Sequence, residues 1–175
     1  MVRRSILLLA GLALFAVAGC GGGGDKTFDV ATIGITFKYP AKFKPITNVK
    51  FGQTAGAKPA ARAGVALDDV NAIIVSRYDL KVTITRDNVG RYKKEVDNVI
   101  SSLAGKPVSG REVEYGGLPG YEYVIELNAP ANGQSRMAVL FDQAAEYLIN
   151  CQSTPDERDA IESGCRTALD SLQTK

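Results

Sequence analysis

Residues 121–172 read YEYVIELNAP ANGQSRMAVL FDQAAEYLIN CQSTPDERDA IESGCRTALD SL, and this stretch decides the fold. Three strands follow one another at 121–128, 135–143 and 145–152, linked by Asn132-Gly133, a hairpin signal, and by the very short Gln143-Ala144. Links this short force antiparallel pairing, because a parallel crossover needs about a dozen residues or more. Thr154-Pro155-Asp156-Glu157 then has the form of a capping box, with Pro155 at the first helical position and two acids at the positive end of the helix. Ile161, Cys165, Ala168, Leu169 and Leu172 share one face of that helix. On the preceding strand Tyr147, Ile149 and Cys151 share a face by the two-residue period. These are the surfaces that meet when the helix packs on the sheet, and each carries a cysteine.

Upstream, 27–30 and 34–39 read as two short strands, with Ile35, Phe37 and Tyr39 alternating against Thr36 and Lys38 and Pro40 stopping the second. A further strand is expected near 48–51, followed by a loop over 53–62 that is rich in Ala, Gly, Lys and Pro. Strands at 64–67 and 72–78 come next, the second with the continuous run Ile73-Ile74-Val75 of a central position. Val89, Tyr92, Val96, Val99, Ile100 and Leu103 recur at spacings of three and four, which predicts a helix over 86–103, with Thr85 as N-cap and Gly105 and Pro107 ending it. A strand at 111–115 leads to the turn Gly116-Gly117-Leu118-Pro119-Gly120.

The amino terminus is not part of this domain. Arg3 and Arg4, an apolar run from Ile6 to Ala18 and small residues ending at Cys20 form a secretory signal in that order. The run would cover roughly 20 Å of a hydrocarbon core about 30 Å thick, too short for a comfortable span. Val17-Ala18-Gly19-Cys20 resembles the lipobox of bacterial lipoproteins, with Val17 where leucine is commonest. That resemblance implies cleavage before Cys20 and diacylglycerol on its sulfur, an extracytoplasmic, lipid-anchored location, and a fatty-acylated terminus of the palmitate type. Two or more acyl chains are what stable anchoring needs. The expected organisation is a signal peptide at 1–19, a lipidated cysteine and Gly-rich tether at 20–26, and one domain at 27–175.

Loss of Arg3 and Arg4 turns 21 basic and 19 acidic residues into equal numbers, so net charge offers no reason to expect a nucleic-acid partner. The charges are uneven along the chain: Lys38 to Arg62 carries six basic and no acidic residues, whereas Asp142 to Glu162 carries six acids against Arg158. A basic segment near the anchor could lie on anionic headgroups, and the plainer alternative is a solvated loop face. With Cys20 assigned to lipid, Cys151 and Cys165 remain as a pair in an exported setting, where a disulfide is the default. The competing readings are a metal site or a catalytic thiol. Zinc would need further ligands, and the chain has no histidine.

The missing histidine also removes the usual general base. No P-loop lysine or Ser-x-x-Lys arrangement occurs, so no catalytic, cofactor-binding or metal-binding residue is assigned. Asp68-Asp69 is a weak cation candidate against a solvated turn. Glu122 and Glu126 fall on the strand face opposite Tyr121, Tyr123, Ile125 and Leu127, which reads as the polar face of a half-covered strand. Tyr115, Tyr121, Tyr123 and Tyr147 are a ligand floor or, on the plainer reading, residues at the edge of the core.

The order of elements, with Gly34-Ile35-Thr36-Phe37-Lys38-Tyr39-Pro40, Gly116-Gly117-Leu118-Pro119-Gly120-Tyr121-Glu122-Tyr123 and Glu146-Tyr147-Leu148-Ile149, resembles the PsbP-like fold over about 27–173. That fold is shared by an extrinsic photosystem II subunit, a Ran-binding nuclear-import factor and many bacterial lipoproteins. The resemblance implies an α+β domain, an antiparallel sheet flanked by helices on both faces, with binding rather than catalytic roles. The functional expectation is a membrane-anchored, non-catalytic binding or protein-interaction module of the cell envelope, meeting its partner through a sheet face or the 53–62 loop. The alternatives are a carrier or receptor for a small apolar or lipid ligand and, behind it, a carboxylate-dependent enzyme.

Overall fold

The computed structural model describes residues 24–47, 58–127 and 132–175. The expected signal peptide, Cys20, most of the glycine tether, the strand expected at 48–51 and the first part of the 53–62 loop lie outside them. Strands β1 (Lys26–Asp29) and β2 (Ile35–Tyr39) pair antiparallel, with Phe28 opposite Phe37 and their rings stacked 4.4 Å apart. The alternation in β2 does what it predicts, since Ile35, Phe37 and Tyr39 are all buried. β3 (Lys44–Ile46) was not legible in the sequence, and β4 (Ala61–Ala66) begins inside the stretch read as a loop. β5 (Ala72–Ile84) runs six residues past its expected end.

The helix expected over 86–103 starts later. A 3-10 turn at Val89–Tyr92 precedes α1 (Lys93–Ala104), and Thr85 is not its cap. Asn88 is the cause: its Oδ1 accepts from the Thr85 N–H at 2.8 Å and its Nδ2 donates to the Thr83 carbonyl at 3.0 Å. Such side-chain to backbone bonds compete with helix formation. β6 (Arg111–Tyr115) and β7 (Leu118–Leu127) form a hairpin whose two loop residues, Gly116 and Gly117, have φ of 59° and 79°. A two-residue hairpin loop of this kind needs positive φ at both positions, which glycine supplies freely. Gly120, in the same motif, lies where a Cβ would stand 1.9 Å from the Val139 carbonyl oxygen.

β8 (Gly133–Ser153) is continuous strand by backbone conformation, yet it folds back on itself. Ser135 Oγ lies 2.5 Å from Asn150 Oδ1, fifteen positions away, whereas a straight strand would separate them by roughly 50 Å. Residues 133–140 pair with β7 and 143–152 with β5, and Gln143 takes a φ of 53° at the bend. The two expected strands and their tight link are thus the two arms of β8. The sheet runs β3-β4-β5-β8-β7-β6, and its strand pairings among the described residues are antiparallel.

α2 (Arg158–Asp170) starts after the expected capping box, and no side chain caps it. Thr154 is otherwise engaged, its N–H and Oγ1 both donating to Asn71 Oδ1, at 2.7 and 3.2 Å. β9 (Gln173–Thr174) follows and pairs with β2, making a small second sheet β1-β2-β9.

Side chains of β8 divide between two apolar clusters. Tyr147, Ile149 and Cys151 join the cluster that holds Ile161, Cys165, Ala168 and Leu169 of α2, together with the β1–β2 hairpin. Leu148, Val139 and Phe141 join the cluster that holds Val96 and Ile100 of α1. Cys151 and Cys165, both buried in the first cluster, form a disulfide with their Cα atoms 5.9 Å apart. By the chain-entropy model a closed loop of this size contributes about 3 kcal/mol. Cys151→Ser or Cys165→Ser, or reducing agent on the native chain, is therefore expected to lower Tm by roughly 6–12 °C. A melting curve indifferent to reductant contradicts this.

Candidate functional site

α1, twelve residues long, packs on β7 and faces the outer end of β5 across a gap that both line. β5 shifts its register with β8 between Asp79 and Ile84, an irregularity of the kind that bends a strand. A cleft of about 640 Å³ lies between the two elements. Its apolar lining includes Tyr78, Ile84, Val96, Ile100, Val139 and Leu148, contributed by β5, α1 and both arms of β8. Val82 of β5 and Val99 of α1 also line it, and at 47% and 51% exposure they are among the few large apolar side chains left to solvent. Val99 belongs to the stripe that predicts the helix. The stripe is correct, but its outer edge faces an opening instead of a neighbour.

Among the described residues, four charged side chains line the cleft: Lys58, Asp79, Glu95 and Glu146. Asp79 is held by Arg77 at 3.1 Å, and Glu95 stands exposed on α1. Glu146 differs from both. It pairs across the ladder with Tyr78 and shares the sheet face of Leu148, because Tyr147 between them points into the α2 cluster. Burial pushes its carboxyl above the ordinary value. Among the described residues no hydrogen bond or ion pair reaches it.

The wall formed by α1 is fixed by Asp97. Its Oδ1 accepts from the Gly110 N–H at 2.9 Å and the Tyr123 hydroxyl at 2.8 Å. Its Oδ2 accepts from Lys93 Nζ at 2.8 Å and Ser109 Oγ at 3.2 Å. Burial pushes this carboxyl up, but the Gly110, Lys93 and Tyr123 bonds outweigh it and hold the pKa at about 2. Tyr123 is displaced upward in turn, by burial and by its bond to Asp97. Lys93 Nζ also lies 5.5 Å from the centre of the Tyr121 ring. One carboxylate thus ties α1 to β7 and to the segment entering β6.

The residues singled out in the sequence are distributed differently. Glu122 and Glu126 share a strand face, but only Glu126 is solvated. Glu122 has 5% of its side chain exposed, so the polar-face reading fails for it. It is covered by its own partners: Arg111, the Tyr115 hydroxyl at 3.0 Å and Arg136 at 3.7 Å. Tyr121 and Tyr123 lie in the α1 cluster and Tyr147 in the α2 cluster, with Tyr115 packed against the latter, so the four tyrosines form no single floor. Asp68 closes a turn, accepting from the N–H groups of Val70 and Asn71 at 2.8 and 2.7 Å. Among the described residues no group of three or more His, Cys, Asp or Glu could hold a metal ion, and no helix is long and apolar enough to cross a membrane. Glu146 was missed as a site residue. The signal was present in EYLIN: an acid two positions from Leu148, in a strand that is apolar from Tyr147 to Ile149.

A meandering antiparallel sheet, a small N-terminal hairpin and a disulfide-tied terminal helix define a PsbP-like α+β domain. The solved structures similar to it include the solution structure of the cyanobacterial PsbP protein CyanoP from Synechocystis, at 12% identity and a TM-score of 0.58, covering 93% of this chain and 99% of that one. A crystal structure from Bacteroides thetaiotaomicron is similar at 13% identity and a TM-score of 0.52, covering 86% of this chain. This chain spans 48% of that longer one. No protein-family model matches the sequence, and no curated protein matches it. The likeness establishes the fold. The disulfide is of the kind that persists in oxidising compartments outside the cytoplasm.

Asp97 has a folded pKa below its unfolded value of about 3.9, so its contribution is present above pH 4 and is lost as pH falls toward about 2. Asp97→Ala is expected to cost about 2–3 kcal/mol at neutral pH and to flatten the stability curve in that acid window. Denaturant titrations of both forms between about pH 2 and pH 5 measure it. Parallel curves would show that this carboxylate is not the tie.

Proposed function

We propose that this chain is an exported lipoprotein held on a membrane through Cys20, whose single domain (27–175) is a non-catalytic binding module of the cell envelope. Its binding site is the cleft between α1 and β5, and the occupant the geometry favours is a small apolar or lipid-like ligand. The observation that carries this reading is the cleft itself: about 640 Å³, mostly apolar, with Val82 and Val99 half exposed along it. Ligand pockets are mostly apolar, with a few placed polar groups, and commonly run from about 300 to 1,000 Å³. A ligand covering the two valines gains about 1 kcal/mol from each, since full burial of such a side chain is worth about 2.

The division of β8's side chains between the α1 and α2 clusters supports a sheet with a helix on each face, so that a shift of α1 opens one layer and leaves the disulfide-tied layer closed. The carboxylate-enzyme reading asked for two converging acids with displaced pKa values in one cleft. Here Asp79 is neutralised by Arg77 and Glu95 is exposed, which leaves Glu146 without an acidic partner for acid–base work.

Protein captured from its own membrane is expected to carry an apolar molecule detectable by mass spectrometry. Val99→Gln is expected to reduce its uptake by about tenfold with Tm unchanged, because the side chain is already exposed. Equal uptake by the native and Val99→Gln chains rejects the cleft as the site. Cys20→Ser is expected to abolish acylation, and a mass for native material without the acyl chains rejects the anchor.

A further inference from the structure

We propose that the cleft takes an amphipathic organic cation, its apolar body between β5 and α1 and its protonated amine against the Glu146 carboxylate. This rests on the cleft being the binding site and adds the sign of the ligand's charge. Two acids on opposite faces of the same sheet make the case. Glu122 is buried and has Arg111, Arg136 and Tyr115 around it. Glu146 lines the cleft, half-buried, and receives no hydrogen bond or ion pair among the described residues. An ionised carboxylate that has lost water and gained no donor is the group that profits most from a cation, and its raised pKa is the same fact seen from the proton's side.

The lining does not cancel that charge. Asp79 is already paired with Arg77, so Lys58 stands against Glu95 and Glu146 among the described charged residues that line the cleft. Tyr78 and Tyr92 also line it, and aromatic rings are the apolar surface that best accommodates a cation. A fatty acid would bring a second anion to Glu146. A fatty alcohol would give it one hydrogen bond and no opposite charge. An alkylamine gives it a hydrogen bond and an opposite charge together, in a site of low dielectric.

The test titrates the full chain in lipid nanodiscs with decylamine, decanol and decanoate, reading binding as the excess over empty nanodiscs, for the native protein and for Glu146→Gln. The variant keeps the size and shape of the side chain, and an unchanged melting curve checks its fold. Native protein is expected to prefer decylamine over decanol by about tenfold, with decanoate weakest, and Glu146→Gln is expected to bring the amine to the alcohol's level. Decanol or decanoate binding as tightly as the amine overturns the cationic ligand and leaves the apolar site standing. An amine preference that survives Glu146→Gln overturns Glu146 as the partner of the head group. Failure of all three to bind overturns the cleft as an apolar binding site, and the cation with it.

Discussion

The fold-back of β8 at Gln143 is the constraint from which the rest of the molecule follows. Its two arms are the central strands of the main sheet, one against β5 and the other against β7. A strand sends successive side chains to opposite faces, so these two arms apportion the apolar residues of both clusters at once. A slip of one residue at the bend would exchange Tyr147, Ile149 and Cys151 with Glu146, Leu148 and Asn150 and destroy both. The buried contact of Ser135 with Asn150 holds that register where the arms lie deepest, and the disulfide holds the same arm to α2.

The two clusters are then finished by different physics. Beneath α2 the cluster is closed: the β1–β2 hairpin, the helix and the sheet all contribute, and a covalent link joins two of the layers. Over β7, α1 is attached by a polar hub at Asp97 and a narrower apolar stripe in which Val96 and Ile100 are the buried members. Hydrogen bonds fix where a helix sits without filling the space beside it. The room between α1 and the outer end of β5 lies beside the cluster held by these more easily exchanged bonds.

How much of this could be read from the chain depends on the range of the interaction. The 111–115 strand, the meander, the terminal helix face and the end of α1 at Gly105 follow local periodicity and turn chemistry, and they stand where the sequence puts them. At both misplaced helix starts the expected capping residue is engaged otherwise: Thr154 serves Asn71, far away in the chain, and Thr85 is drawn into a local turn by Asn88. β3 and β9 are short edge pieces with no period of their own, made strands only by β4 and β2. The cleft was illegible for a further reason, since it comes from a strand irregularity and a short helix together, and neither leaves a pattern in composition.

Charge shows the same limit most clearly. Glu122 and Glu146 both occur in apolar strand runs, and alternation alone assigns each to a face without saying what waits there. For Glu122 the neighbouring strands deliver Arg111, Tyr115 and Arg136, so the carboxylate is compensated within the fold. For Glu146 the neighbours across the ladder are the apolar body of Tyr78 and the opening of the cleft. Glu146 is half-buried where Glu122 is buried, and a carboxylate partly withdrawn from water without a donor costs stability that a leucine at the same place would not. The fold compensates the acid it encloses and leaves the one beside the apolar opening without a partner among the described residues.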